Sequence, residues 1–170
     1  MVVDTASVLQ RRQLLLGTAA WLSPALGRAA AEAGGTAPSL SLTATDGEPV
    51  FAAGRWRVIY LDFWASWCGP CRQSFPWMNQ LVERYQAAGL RVVGINLDAK
   101  AEDAQGFLQQ LPARFPIAFD AAGASARAFG VKAMPSSFLL RADRSVLWAH
   151  RGFRSEDREA LERRIAAALA

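Results

Sequence analysis

The sequence predicts one α/β domain, a central mixed sheet with helices on both faces. Three observations predict it. Two nearly continuous apolar runs, Arg57 to Trp64 and Arg91 to Leu97, have the composition of strands covered on both sides. Helical periodicity fills the chain between and after them. Two further apolar segments, Ser136 to Leu140 and Ser145 to Ala149, flank a turn at Asp143 and Arg144, as an antiparallel hairpin requires.

The elements follow in order. Residues 1–31 divide into a polar stretch ending in Arg11 and Arg12, an apolar run from Leu14 to Leu26, and a small-residue cluster of alanines, the three-part layout of an export signal. The Arg11–Arg12 pair before Leu14 resembles a twin-arginine signal; an ordinary secretory region or a basic tail are the other readings. The apolar run is 13 residues long with Gly17 and Pro24 inside it, short of the roughly 20 a stable membrane span needs. This predicts export to the periplasm with no stable transmembrane span after cleavage, an uncleaved anchor being the alternative. Residues 32–38 read as a linker and 39–170 as the domain, with short strand candidates at Leu40 to Thr45 before a turn at Asp46 and Gly47.

After the first buried strand, Cys68 to Ala88 places Phe75, Met78, Leu81, Val82 and Tyr85 at spacings of three and four, with Pro76 expected to kink the helix and Gly89 to end it. Glu102 to Leu111 is a second amphipathic candidate, followed by a strand at Phe115 to Phe119 and a short helix at Ser125 to Phe129. A closing helix starts at Ser155, whose hydroxyl is the expected cap, and carries Leu161, Ile165 and Leu169 on one stripe.

Composition excludes several classes. With 52% hydrophobic and 20% charged residues, the chain of 170 residues has the apolar material for a core, which disordered chains lack. The net charge of +4 shrinks once residues 1–31 are set aside, because 16 basic and 14 acidic residues remain. The arginines at 151, 154, 158, 163 and 164 read as a solvated helix face, so no nucleic-acid partner is expected. Two cysteines and the single His150 are too few for a zinc site, so no metal is expected.

The chemistry-bearing signal is Trp67, Cys68, Gly69, Pro70, Cys71, between the first buried strand and the helix. A cysteine at a helix start has its thiolate favoured by unpaired backbone donors and the positive end of the dipole. Cys71, one turn on, can attack a mixed disulfide on Cys68 and release the partner. Gly69 leaves room for an approaching chain, and Pro70 suits a first helical turn. A static structural disulfide or two unrelated buried thiols are the alternatives. Asp62 is the only carboxylate inside the strand that leads to the motif. Burial suits it to take the Cys71 proton, while pairing with Lys132 or an arginine is the other reading. Trp64 and Trp67 read as core aromatics or as an apolar surround for the thiols. Met134–Pro135 reads as a plain strand entry or a cis bond.

Asp62, Phe63, Trp64, Ala65, Ser66, Trp67, Cys68, Gly69, Pro70 and Cys71 closely resemble the active-site stretch of the thioredoxins. The export signal, the extra strand before the active-site strand and the Glu102 to Phe119 insertion are similar to the membrane-facing relatives TlpA, ResA and CcmG. The resemblance covers about residues 39 to 168 and implies a thioredoxin-like fold. It implies a cis bond at Pro135 opposite the reactive cysteine, Met134 presenting backbone to a substrate chain, and Gly152 and Phe153 beside the site. Two departures stand out: Ser74 occupies a position where many of these relatives have glutamate, and Asp62 one where many have asparagine. The glycine, proline and glutamate signature of cytochrome c maturation members is absent around Pro135.

The resemblance implies thiol-disulfide exchange with protein partners, chiefly as a reductase with Cys68 attacking and Cys71 resolving. No cofactor beyond the Cys68–Cys71 disulfide is implied, and an upstream membrane electron donor is expected. Alternatives are a thiol oxidase or isomerase, a cytochrome c maturation reductase, a redox-inert binding or chaperone module, and a thiol peroxidase.

Overall fold

The structure is a computed structural model that describes residues 31–52 and 54–170. The export-signal features at Arg11, Arg12 and the Leu14 to Leu26 run lie outside the described residues. Among the described residues, no helix is long and apolar enough to cross a membrane.

Five strands form one sheet in the order β3-β2-β1-β4-β5. They are β1 (Val58–Trp64), β2 (Leu90–Asn96), β3 (Ile117–Phe119), β4 (Ser136–Arg141) and β5 (Val146–Arg151). The sheet is mixed: β1 pairs β2 in parallel and β4 antiparallel, β3 runs parallel to β2, and β5 closes the hairpin with β4. Every residue of β1 and β2 is buried, which is why both read as unbroken apolar runs rather than as alternating ones.

Alternation along β1 divides the core. Val58, Tyr60 and Trp64 join one apolar cluster with Phe75, Trp77, Met78 and Leu81 of α1 (Gly69–Tyr85), Ala104 and Phe107 of α2 (Ala101–Gln110), and Leu161, Ile165 and Leu169 of α4 (Asp157–Leu169). Ile59, Leu61 and Phe63 face the other cluster, with Ala126, Ala128 and Phe129 of α3 (Ala124–Phe129). Helices therefore cover both faces, and the Leu161, Ile165, Leu169 stripe packs as its spacing predicts.

Three local expectations change. Leu40 to Thr45 does not form a strand: the chain turns back at Asp46–Gly47, Pro49 has no amide hydrogen to extend a ladder, and only the bridges Thr43–Pro49 and Ala44–Ala118 remain. The residues expected as a linker lie against the hairpin, with Gly34 N donating to Val146 O (2.9 Å), Val146 N to Gly35 O (2.8 Å) and Ala37 N to Arg144 O (2.8 Å). Ser155 does not cap α4, because it lies two residues before the first helical residue; instead the Asp157 carboxylate accepts from Arg154 N at 2.9 Å.

Phe75 anchors the larger cluster, with its ring 4.8 Å from that of Trp64, 4.9 Å from Phe107 and 5.2 Å from Phe115. Phe75→Ala should cost about 3–5 kcal/mol of unfolding free energy, read by denaturant titration at unchanged m-value.

Candidate active site

The site begins where β1 ends. The Trp64 carbonyl accepts from Leu97 N at 2.9 Å, and the chain then turns through Ala65 to Trp67, closed by Cys68 N donating to Ala65 O at 3.1 Å. Asp98, just beyond β2, holds this turn: Ser66 N and Ser66 Oγ both donate to its carboxylate at 2.9 Å, and Asn96 Nδ2 donates at 2.8 Å. The turn is thus tied to the end of β2 before the helix starts.

Cys68 is the N-cap of α1, extended in backbone, and its Sγ accepts from Cys71 N at 3.2 Å. Gly69 and Pro70 occupy the first turn, which carries no acidic side chain to offset the positive end of the helix. Cys68 and Cys71 are joined as a disulfide. The two sulfurs have unequal surroundings: Cys71 is fully enclosed and Cys68 is 4% exposed, while the adjoining Trp67 is 72% exposed. The paired expectation for the tryptophans therefore divides, with Trp64 in the core and Trp67 at the surface beside Cys68.

The Met134–Pro135 bond is cis. Pro135 O accepts from Gly152 N at 2.7 Å, which ties the turn before β4 to the end of β5. Phe153 lies in the apolar cluster that includes both cysteines, its ring 5.3 Å from that of Trp77, and Met134 packs against the same cluster. The segments 134–135 and 152–153 are thereby drawn to the cysteine side of the sheet.

Asp62 is 1% exposed and has Ser137, its register partner on β4, donating to Oδ1 at 2.6 Å. Among the described residues, no lysine or arginine pairs with it, so the expected alternative partner Lys132 is not one, and Oδ2 has no hydrogen-bond partner. Burial pushes the Asp62 carboxyl up to about 7, against the opposing pull of the Ser137 hydroxyl. Tyr60, on the same face, is pushed above its ordinary range by burial and by the Asp62 charge. Burial therefore favours the neutral, protonated form of this carboxyl over the charged one.

Two features escape sequence reasoning. Asp98 lies two residues past β2 with nothing in its spacing to link it to Ser66, and Ser137 reads as one polar residue at a strand start. Both connections cross between strands that only folding brings together.

Residues 32–167 match the protein family described as Redoxin. The chain belongs to the redoxin family. ResA of Bacillus thuringiensis subsp. konkukian, a thiol-disulfide oxidoreductase, is 28% identical over 127 residues, covering 74% of this chain and 73% of ResA. The ResA of Geobacillus thermodenitrificans is 31% identical over 114 residues, 66% of each chain. The crystal structure of a Chlorobium tepidum protein described as thiol:disulfide interchange protein DsbE is 52% identical, with a TM-score of 0.77 over 82% of this chain and 99% of that one. The chain is a thiol-disulfide oxidoreductase of this ResA, DsbE and TlpA-like group, and its redox group is the Cys68–Cys71 disulfide itself.

The Asp62 carboxyl makes a stability prediction. Its folded value stands above that of an unfolded aspartate, so between about pH 4 and pH 7 the folded state holds a proton that the unfolded chain has released. Stability from this group is therefore fully present below about pH 4 and falls as pH rises toward 7. For the disulfide form the loss between pH 4 and 8 is on the order of 4 kcal/mol. Asp62→Asn should flatten that slope, as read by thermal or denaturant unfolding across the same range.

Proposed function

We propose that this oxidoreductase acts as a reductase of protein disulfides in the bacterial periplasm. The observation that carries the reading is the inequality of the two sulfurs. Cys68 caps the helix beside exposed Trp67, whereas Cys71 is sealed one turn deeper. In the reduced protein the Cys68 thiolate attacks a partner disulfide, and one partner sulfur leaves. Cys71 then attacks Cys68 Sγ, which forms the Cys68–Cys71 bond and breaks the bond to the partner. Asp62 accepts the Cys71 proton and returns one to the departing sulfur.

The partner chain is oriented by backbone at Met134 and Pro135 and contacts Trp67, Gly69 and Pro70, the residues around the Cys68 sulfur. The hydrogen bond from Gly152 N to Pro135 O and the packing of Met134 on the cluster that holds both cysteines support that placement. Each turnover ends with the Cys68–Cys71 disulfide, so a two-electron donor must restore the dithiol. For a protein exported beyond the cytosolic thiol pool, a membrane donor fits that need. The layout of residues 1–31 supports the periplasmic setting.

Direction is tested by the equilibrium potential of the Cys68–Cys71 pair in glutathione buffers. A value below about −200 mV is expected for a reductase, and one near −120 mV, that of the strong oxidant DsbA, overturns the direction. Roles are tested by substitution: Cys68→Ser should abolish exchange with a model disulfide, and Cys71→Ser should accumulate mixed disulfides on Cys68, identified by mass spectrometry. Equal activity in Cys68→Ser overturns the mechanism.

A further inference from the structure

Asp62 lies between two strands that differ in what they can offer it. On β2 the opposite residue is Gly94, where a Cβ would meet Ile117 Cδ1 at 2.9 Å, Trp64 Nε1 at 3.0 Å and Phe115 Cε2 at 3.2 Å. That space is filled, so β2 can present no side chain, charged or polar, to the carboxyl at this position. On β4 the opposite residue is Ser137, itself 1% exposed, and its hydroxyl donates to Asp62 Oδ1 at 2.6 Å.

The other titratable groups on this side of the sheet come from several elements. Tyr60 stands two residues earlier on the same face of β1, and α1 contributes Cys71. His150 stands on β5 opposite Ser137, one strand farther out, where Asp157 faces it at 3.4 Å. From α4 come the apolar Leu161 and Ile165, with Arg158 lying over the Phe153 ring.

We propose that Ser137 is a positioning residue for the exchange reaction: its hydroxyl holds Asp62 Oδ1, leaving Oδ2 as the atom that takes and returns the proton. A serine has one hydroxyl hydrogen, which Ser137 gives to Oδ1, and the Tyr60 hydroxyl is the second group in hydrogen-bond reach of Ser137. When the carboxyl is protonated, Oδ1 still accepts and the proton resides on Oδ2, which has no other partner among the described residues. The step balances: Oδ2 removes the Cys71 proton, the Cys71 to Cys68 bond forms as the Cys68 to partner bond breaks, and the partner sulfur leaves as a thiolate. Oδ2 then protonates it. The partner is reduced by two electrons and the Cys68–Cys71 pair is oxidised. Because Ser137 donates in both states but more strongly to the anion, it also sets the pH at which Oδ2 becomes available.

This inference rests on the role given to Asp62 above, and the experiment separates the two. The full chain, loaded with a fluorescent peptide as a mixed disulfide on Cys68, is followed by stopped flow as Cys71 releases the peptide, across pH 5 to 9. Release should rise with pH in the wild type through an inflection near 7, and Asp62→Asn should remove that inflection. Ser137→Ala should move the inflection upward and slow release at pH 6 by about tenfold, one unit of pKa, while Ser137→Thr restores the wild-type profile. If Ser137→Ala does not fold, Ser137→Cys, close in size and a weak donor, should move the inflection in the same direction. An unchanged Ser137→Ala profile, or Ser137→Thr shifted as far as Ser137→Ala, overturns the positioning role while leaving Asp62 in place. An unchanged Asp62→Asn profile overturns the reading of Asp62 itself.

Discussion

The double pairing of β1 is the constraint from which the site is built. β1 is hydrogen-bonded to β2 on one side and β4 on the other, with all seven residues buried. Its C-terminal end is therefore a fixed point, and the turn that leaves it is held from β2 through Asp98 and Leu97. Cys68 inherits its position from that turn. Pro135 inherits its own from β4, which lies against the opposite edge of the same strand, and Asp62 is part of the strand itself. A shift of one residue in the β1 register would turn the Asp62 and Trp64 side chains to the other face of the sheet.

The electrostatics follow from the same packing. The strand ends in a helix whose first turn has no acidic residue, so the positive end of the dipole is left for the Cys68 sulfur. Among the described residues, the carboxyl of Asp62 is enclosed with one neutral hydrogen bond, from Ser137, and no cation. An unpaired buried carboxyl costs stability above neutral pH, and only a rigid surround holds it in place. The aromatic cluster of Trp64, Phe75, Phe107 and Phe115 supplies part of that surround, and α2 contributes to it through Phe107.

A different polar arrangement secures the other end of the sheet. Arg91, at the start of β2, is 2% exposed and donates to Asp46 at 2.9 Å and Glu48 at 2.8 Å, with the Trp56 ring 5.6 Å away. These contacts bind the turn at Asp46–Gly47 to the sheet. The charged groups there are paired, so burial is offset by partners. The carboxyl of Asp62, farther along the same sheet, has no such cation among the described residues.

Local sequence determined much of this protein. Apolar runs, helical spacing and the hairpin turn are encoded within short windows, which is why the order of elements from Val58 onward, the covered faces and the Trp67 to Cys71 motif are legible there. The motif also carries its own context, since a cysteine pair at a strand-to-helix junction implies a helix N-terminus. Tertiary structure decided what depends on neighbours distant in the chain. Gly94 and Ser137 flank Asp62 only after parallel and antiparallel pairing set their registers, and neither residue type signals that role. The same holds for Asp98 with Ser66, for the docking of residues 34–37 on the hairpin, and for the division of Trp64 from Trp67. Hydrogen bonds and exclusion of a Cβ act over a few ångströms in space, whereas sequence patterns report only what repeats along the chain.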